Sequence, residues 1–304
     1  MENPFFADRR NNVLKKSSFI YIIIAGILWG TSGIFVHYLT PHGFTSFQMT
    51  AVRALVSFTC MAVYALITDR EAFRVNIKQL LLFAAIGASL FLTASLYYTS
   101  ISMTSSSTAV VLMYTAPIYV VIFSALFLGE RFSRFKLLAV GCMLIGCCLV
   151  SGIVGGLKFD AIGILAGALS GITYAVYNIL TKIATQHKCK TVSLTLYCFL
   201  FVALIALFVS EPMKIIDNAV ASPTTIPLLL LIGIVTFVAP YFLYTLAMRD
   251  VPAGTATALG AVEPMAATVF GVLLFKDPFN VFSAIGIVLV VLAVFLIGKA
   301  ENGR

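Results

Sequence analysis

Charge is what this chain has least of. Only 11% of its 304 residues are Asp, Glu, Lys or Arg, against about 25% in a soluble domain. That deficit excludes an ordinary water-soluble fold. Histidine is scarce as well: the three histidines, His37, His42 and His187, are scattered. Neither a metal cluster nor a His-based catalytic set is therefore expected, and an intramembrane enzyme is disfavoured. The six cysteines lie mostly inside apolar runs, and Cys147-Cys148 has no ligand spacing. They read as small core residues and not as disulfides or metal ligands. No GxxxxGK[ST] sequence occurs, and no segment between spans is long enough for an ATPase domain. Any energy the protein uses must then come from a gradient. Nothing resembles a repeated channel filter. Neither a cofactor nor a metal is expected.

Apolar residues fill the space that charge leaves. They make up 61% of the chain, and the mean hydropathy is +1.03. Polar clusters recur about every twenty residues, which suits membrane-crossing helices and not the ten-residue alternation of barrel strands. Ten spans can be placed, at about 19–39, 46–68, 78–99, 104–128, 132–152, 160–184, 192–210, 226–247, 254–275 and 279–298. The expected fold is an all-α membrane protein. The basic N-terminal segment MENPFFADRRNNVLKK runs into the first span without a small-residue cleavage site, so it reads as a retained helix and not a signal peptide.

The net charge of +8 sits in short loops between spans. It therefore reports orientation in the bilayer and not binding to nucleic acid. With the N-terminus inside, the outer loops hold only Lys158, Lys214 and Lys276 among the basic residues. Both termini are thus expected to be cytoplasmic. Arg53 belongs to neither set of loops.

Residues 254–277, GTATALGAVEPMAATVFGVLLFKD, repeat an earlier stretch, 107–130, STAVVLMYTAPIYVVIFSALFLGE. Pro264 minus Pro117 is an offset of 147. At that offset Thr108 meets Thr255, Leu112 meets Leu259, Phe123 meets Phe270, and Glu130 meets Asp277. Gly26 and Gly30 in the first span likewise match Gly167 and Gly171 in the sixth. A repeat of half the chain, with prolines at matching points, is a mark of secondary transporters. Five spans per half is odd, so the second half must enter the membrane inverted. Two related shapes, open inward and open outward, follow from such a pseudo-two-fold. The small residues four apart let helices approach closely, as packing or as a seam that moves.

Ile27-Leu28-Trp29-Gly30-Thr31-Ser32 resembles the opening of an EamA domain. Leu96-Tyr97 through Leu128-Gly129-Glu130 resembles its fourth-helix signature. Leu243-Tyr244-Thr245-Leu246-Ala247 and Val262-Glu263-Pro264 resemble a second copy. The likeness covers nearly the whole chain as two EamA domains, 17–153 and 158–300. It implies the ten-helix branch of the drug/metabolite transporter superfamily. Members move amino acids, other metabolites or drugs, often outward and often with proton coupling. Lys276-Asp277 departs from the usual Gly-Glu, and Ser170 stands where second copies often carry an aromatic opposite Trp29.

Substrate is expected near mid-depth, between the halves. Glu263 is a carboxylate in mid-span, worth roughly 3 kcal/mol against insertion. It has two readings: a proton carrier or counter-charge for a cationic group, or a structural Glu-Pro pair. Arg53 lies about two turns inside the second span. It is open to a substrate carboxylate, to Glu263, or to the outer surface. Trp29, Ser32, Tyr174, Tyr177 and Asn178 on the first and sixth helices are cavity candidates. So are Tyr97, Tyr114, Tyr241 and Tyr244, since aromatics with a polar tip pack at one end and bond at the other. Interfacial or packing roles stay open for each tyrosine. Pro117 and Pro264 are candidate gating irregularities. The expected function is secondary transport of a small metabolite, such as an amino acid or amphipathic amine, by alternating access in the plasma membrane. Partners are the lipid bilayer, the substrate and protons, with the protein a monomer or homodimer. An uncoupled facilitator or exchanger is the alternative.

Overall fold

In the computed structural model, the described residues are 4–104, 106–129, 134–150, 160–276 and 280–302. The repeat ends Glu130 and Asp277, together with Lys158, fall outside them. The helices are α1 (Pro4–Gly30), α2 (Ser32–Leu39), α3 (Ser46–Thr68), α4 (Ile77–Met103), α5 (Ser106–Met113), α6 (Ala116–Leu128) and α7 (Arg134–Val150). There follow α8 (Ala161–Gln186), α9 (Thr191–Val209), α10 (Pro212–Ala221), α11 (Ile226–Gly233), α12 (Ala239–Ala247), α13 (Ala253–Gly260), α14 (Val262–Phe270) and α15 (Val281–Asn302). No strand occurs among the described residues.

Among the described residues eight stretches are long and apolar enough to cross a membrane, including Ser17–His42, Ser46–Thr68 and Ala253–Phe275. The 17-residue α7 and the apolar run Val281–Ile297 of α15 are shorter. At 1.5 Å per residue the 23-residue α3 is about 35 Å long, enough for a hydrocarbon core of about 30 Å. The outward faces are apolar: Phe208 is 90% exposed and Ile67 78%. Such surfaces are stable only against lipid.

Polar residues set where the rods begin. Thr45 with Gln48, and Asn76 with Gln79, form reciprocal caps at the starts of α3 and α4. Asp160 accepts from Gly163 N at 2.8 Å to open α8. Gly129, at φ 65, ends α6 in a left-handed turn.

The contacts between rods are two-fold in pattern. Helix α1 packs on α12 and on α13–α14, and α8 packs in the same way on α4 and on α5–α6. Helix α3 meets α11 as α9 meets α4. Each of the pairs α3 with α9 and α7 with α15 maps onto itself under the exchange of halves. Between α7 and α15 the backbones touch at matched glycines. A Cβ on Gly146 would lie 2.9 Å from the Gly286 carbonyl, and one on Gly286 would lie 2.7 Å from the Gly146 carbonyl.

The first rods of the two halves run in opposite directions. Ser18, early in the first span, donates to Asp250 Oδ2 at 2.8 Å. Lys182, late in α8, donates to the carbonyls of Met248 (2.7 Å) and Val251 (2.8 Å). The start of one and the end of the other therefore share the 248–251 turn. Lys182 is buried, and its ammonium neutralises carbonyls freed at the end of α12.

Two features were absent from the expected pattern. The connection from 211 to 225 folds into α10, whose Ile215 and Ala219 pack inward while Met213, Ile216 and Val220 face out. Two rods contain π-helical turns, Ile234–Val238 and Gly271–Phe275.

Candidate functional site

Three rods break near mid-length. The breaks fall at Thr31 between α1 and α2, at Tyr114-Thr115 between α5 and α6, and at Ala261 between α13 and α14. Each closes with a tight bond three residues back: Thr31 N to Leu28 O, Thr115 N to Leu112 O, and Ala261 N to Ala258 O, all 3.2 Å. The hydroxyls of Thr31 and Thr115 donate to the same carbonyls at 2.6 Å.

Proline explains two of the breaks. Pro117 and Pro264 have no N–H for the carbonyls of Met113 and Gly260, four residues back. Those carbonyls face glycines in the other half. A Cβ on Gly171 would lie 3.2 Å from Met113 O, and one on Gly26 would lie 3.2 Å from Gly260 O. The break at Thr31 has no proline. There Gly30 allows close approach, since a Cβ would lie 2.7 Å from Ala266 Cβ and 2.9 Å from Ala267 N.

The two proline breaks are joined by one hydrogen bond. Tyr114 OH donates to Glu263 Oε2 at 2.6 Å. Glu263 sits in the first turn of α14, where unpaired N–H groups favour an anion. Glu263 is half-buried and Tyr114 buried.

Beside this bond stands an aromatic cluster. Trp29 lies between Tyr241 (ring centroids 5.0 Å) and Tyr244 (5.4 Å). Gly260, one residue before the Ala261 break, lies beside this pair: a Cβ there would sit in ordinary contact, 3.8 Å from Trp29 Cζ3. Tyr177 meets Tyr241 edge-on at 5.9 Å and stacks on Tyr174 at 5.9 Å. Fully buried Asn178 accepts from Tyr244 OH at 2.5 Å and donates to Tyr174 O at 2.7 Å. The helical spacing of Tyr174, Tyr177 and Asn178 puts all three on one face of α8.

Arg53 approaches from α3. Its guanidinium carbon lies 4.9 Å from the Phe237 ring centre, a cation–π contact. Its Nη2 donates to Thr50 Oγ1 (3.0 Å) and Tyr98 OH (3.3 Å). Phe237 in turn touches Tyr241, with centroids 4.9 Å apart. No ion pair joins Arg53 and Glu263 among the described residues. Two buried donors, Trp29 Nε1 and Arg53 Nε, have no hydrogen-bond partner among the described residues.

The structure thus brings together Trp29, Tyr174, Tyr177, Asn178, Tyr241 and Tyr244, with Tyr114 and Glu263 as one pair and Arg53 at the edge. It does not gather Ser32 or Tyr97. Ser32 opens α2 and makes no side-chain hydrogen bond among the described residues. Tyr97 stands beside Tyr98 at 5.7 Å, and it is Tyr98 that reaches Arg53. Tyr98, Thr50 and Phe237 were not foreseen. Thr50, three residues before Arg53, was the one partner that helical spacing signalled. Ser170 is buried and donates to Gly167 O at 2.7 Å, so nothing aromatic faces Trp29 from that position. The His37 ring lies against Phe275 with centroids 4.1 Å apart, and His42 pairs with Ser222 Oγ at 3.1 Å, both contacts being made outside this cluster. No group of three or more His, Cys, Asp or Glu suited to a metal occurs among the described residues.

The model of the EamA-like transporter family matches residues 16–152 and again 161–299. A Bacillus subtilis protein, the uncharacterized transporter YwfM, is 26% identical over 93% of this chain and 94% of its own. An uncharacterized transporter of Archaeoglobus fulgidus is 28% identical over 87% of this chain and 90% of its own. The uncharacterized inner membrane transporter YicL of Salmonella typhimurium is 24% identical over 95% and 97%. One solved crystal structure of a protein is 18% identical, with a TM-score of 0.77, covering 94% of this chain and 98% of its own. It shows the same fold. Two family matches spanning nearly all the apolar helices make this a multi-pass membrane protein, and the chain belongs to the EamA-like transporter family.

Proposed function

We propose that the protein is a secondary carrier of small metabolites in the plasma membrane, working by alternating access between two inverted halves. Ten spans and two cytoplasmic termini complete this reading, with α7 and α15 as the fifth and tenth spans. The observation that carries it is the Tyr114–Glu263 bond, which ties the break in one half to the break in the other. A site at paired helix breaks near mid-depth is where carriers of this architecture hold substrate.

Within that site each group has a role. Trp29, Tyr174, Tyr177, Tyr241 and Tyr244 form an apolar and polarisable wall for the body of the substrate. Trp29 Nε1 and Arg53 offer donors to an acceptor or carboxylate. Glu263 carries a proton or meets a cationic group, and the hydroxyl of Tyr114 orients it. The breaks at Thr31, Thr115 and Ala261 are hinges at which the rods bend as the halves rock. Metabolites with an amine and an apolar body, such as amino acids or amphipathic amines, fit this set. Outward movement driven by proton entry is the coupled form of the cycle.

Purified protein in liposomes tests the reading. Amino acids and amines are screened for saturable uptake, with and without an imposed pH gradient. The expected result is saturable flux that responds to the gradient in the wild type and not in Glu263→Gln. Saturable flux unaffected by both makes the protein an uncoupled exchanger. Ohmic, non-saturable current overturns the carrier reading.

A further inference from the structure

At the membrane end that holds Ser18, Lys182 and the 248–251 turn, away from the aromatic cluster, lies a cavity of about 310 Å³. Its walls are Glu71, Arg74, Val75, Gln79, Phe83, Lys188, Lys190 and Ser193. The walls are held firmly. Lys190 Nζ lies 2.9 Å from both Asp69 and Glu71. Ser193 donates to Ala72 O at 2.8 Å, and Tyr197 to Phe73 O at 3.0 Å. The α3–α4 turn is thereby clamped to the start of α9.

Three cations and one carboxylate line this space, so it is electropositive. Lys190 is occupied by its two carboxylates, and they raise its pKa by accepting hydrogen bonds from its ammonium, Asp69 first and Glu71 second. Arg74 and Lys188 have no ion-pair partner among the described residues. Helix α9 opens at this point without a side-chain cap, and Ser193 is in its first turn. Its leading N–H groups therefore add to the positive field. The buried hydroxyl of Thr191, the first residue of α9, also lacks a hydrogen-bond partner among the described residues. Nearby on α4, Ile77 is 67% exposed and Leu81 63%, and at the end of α3 Ile67 is 78% exposed. Arg74 thus lies at the level where the lipid-facing surface begins. Phe83 and Val75 give the cavity an apolar floor.

We infer that this cavity binds a phosphate-bearing anion at the membrane surface, with Arg74 and Lys188 as its direct ligands. Arginine gives two parallel donors to phosphate and lysine a point charge, and a basic recess between spans suits an anionic headgroup. The phosphate has two possible sources, an anionic lipid or a soluble phosphate. The site is separate from the proposed substrate cavity, so its occupancy stabilises the fold whether or not that reading holds.

Thermal unfolding in neutral detergent tests this. The probes are phosphatidylglycerol, phosphatidylcholine, inorganic phosphate and glycerol 1-phosphate. Phosphatidylglycerol should raise the Tm by about 4 °C more than phosphatidylcholine. The Arg74→Gln/Lys188→Gln variant should lose that excess while keeping its Tm in phosphatidylcholine. Arg74→Lys/Lys188→Arg should retain most of the excess, which separates charge from folding defects. If inorganic phosphate or glycerol 1-phosphate reproduces the rise, the site stands with a soluble occupant. If only the lipid does, the occupant is a headgroup. Equal responses to the two lipids with no response to phosphate overturn the inference. So does a neutral double variant that keeps the full excess.

Discussion

In the first half Gly30 presses on the helix that breaks at Ala261; in the second, Gly171 presses on the helix that breaks at Thr115. The seams correspond, and so do the prolines beneath them. The chemistry does not. At the 147-residue offset Glu263 corresponds to Ala116, and at the 141-residue offset of the glycine pairs Trp29 corresponds to Ser170. Arg53 lies in α3, while α9, its counterpart, has no charged residue at all. The first rod of one half is broken at Thr31, whereas α8 is continuous. Both π turns belong to the second half. A shared frame supplies the two shapes a carrier needs, and the departures from symmetry supply what the substrate meets.

That contrast can be broken at its charged residues first. Glu263→Gln and Arg53→Gln should each reduce transport about 100-fold, since each removes a charge-assisted contact worth about 1.5–3 kcal/mol. Uptake into liposomes, with Ala116→Glu as a mirrored control that restores nothing, reads the effect. Next come the seams. Gly30→Val and Gly171→Val should each lower stability by about 2 kcal/mol through overpacking. Gly33→Val should be near neutral, because nothing lies within 4 Å of a Cβ there. Denaturation in detergent compares the three, and unequal costs at Gly30 and Gly171 would show that the seams are not equivalent. Smaller again, Tyr114→Phe should lower transport about tenfold through one lost hydrogen bond to a carboxylate, with expression unchanged. Smallest, Asp69→Asn should leave transport and Tm nearly as they are, because the ion pair with Lys190 is partly open to solvent and Glu71 still holds the lysine. Thermal unfolding at low and high salt checks that.

Much of the frame was legible in the sequence because lipid imposes simple rules. Apolar runs of one bilayer length, Gly26 and Gly30 echoed by Gly167 and Gly171, and prolines 147 residues apart all report backbone-level constraints. The helix α10 was hidden because ten residues with Pro212 and Lys214 look like any polar connection. The π turns were hidden because nothing local marks them beyond Pro240, which also suits a simple kink. In the site, Tyr174, Tyr177 and Asn178 could be read from their spacing on one helix. Of the partners of Arg53, only Thr50 could. Whether Tyr97 or Tyr98 faces it depends on how α4 is rotated against α3, a tertiary fact that leaves no trace in either helix alone. The same applies to the basic cavity, whose Arg74 and Lys188 are more than a hundred residues apart and meet only when α9 docks beside α4.

The proposed carrier depends on halves that cross the bilayer in opposite senses, and the sidedness of thiol labelling addresses that most directly. Single cysteines replace Ser17, His187, His42 and Asn218 in a cysteine-free background, and intact cells are treated with a membrane-impermeant reagent. Positions 42 and 218 should react from outside, while 17 and 187 should react only after the membrane is opened. Labelling that places 17 and 187 on opposite faces would contradict the inverted arrangement.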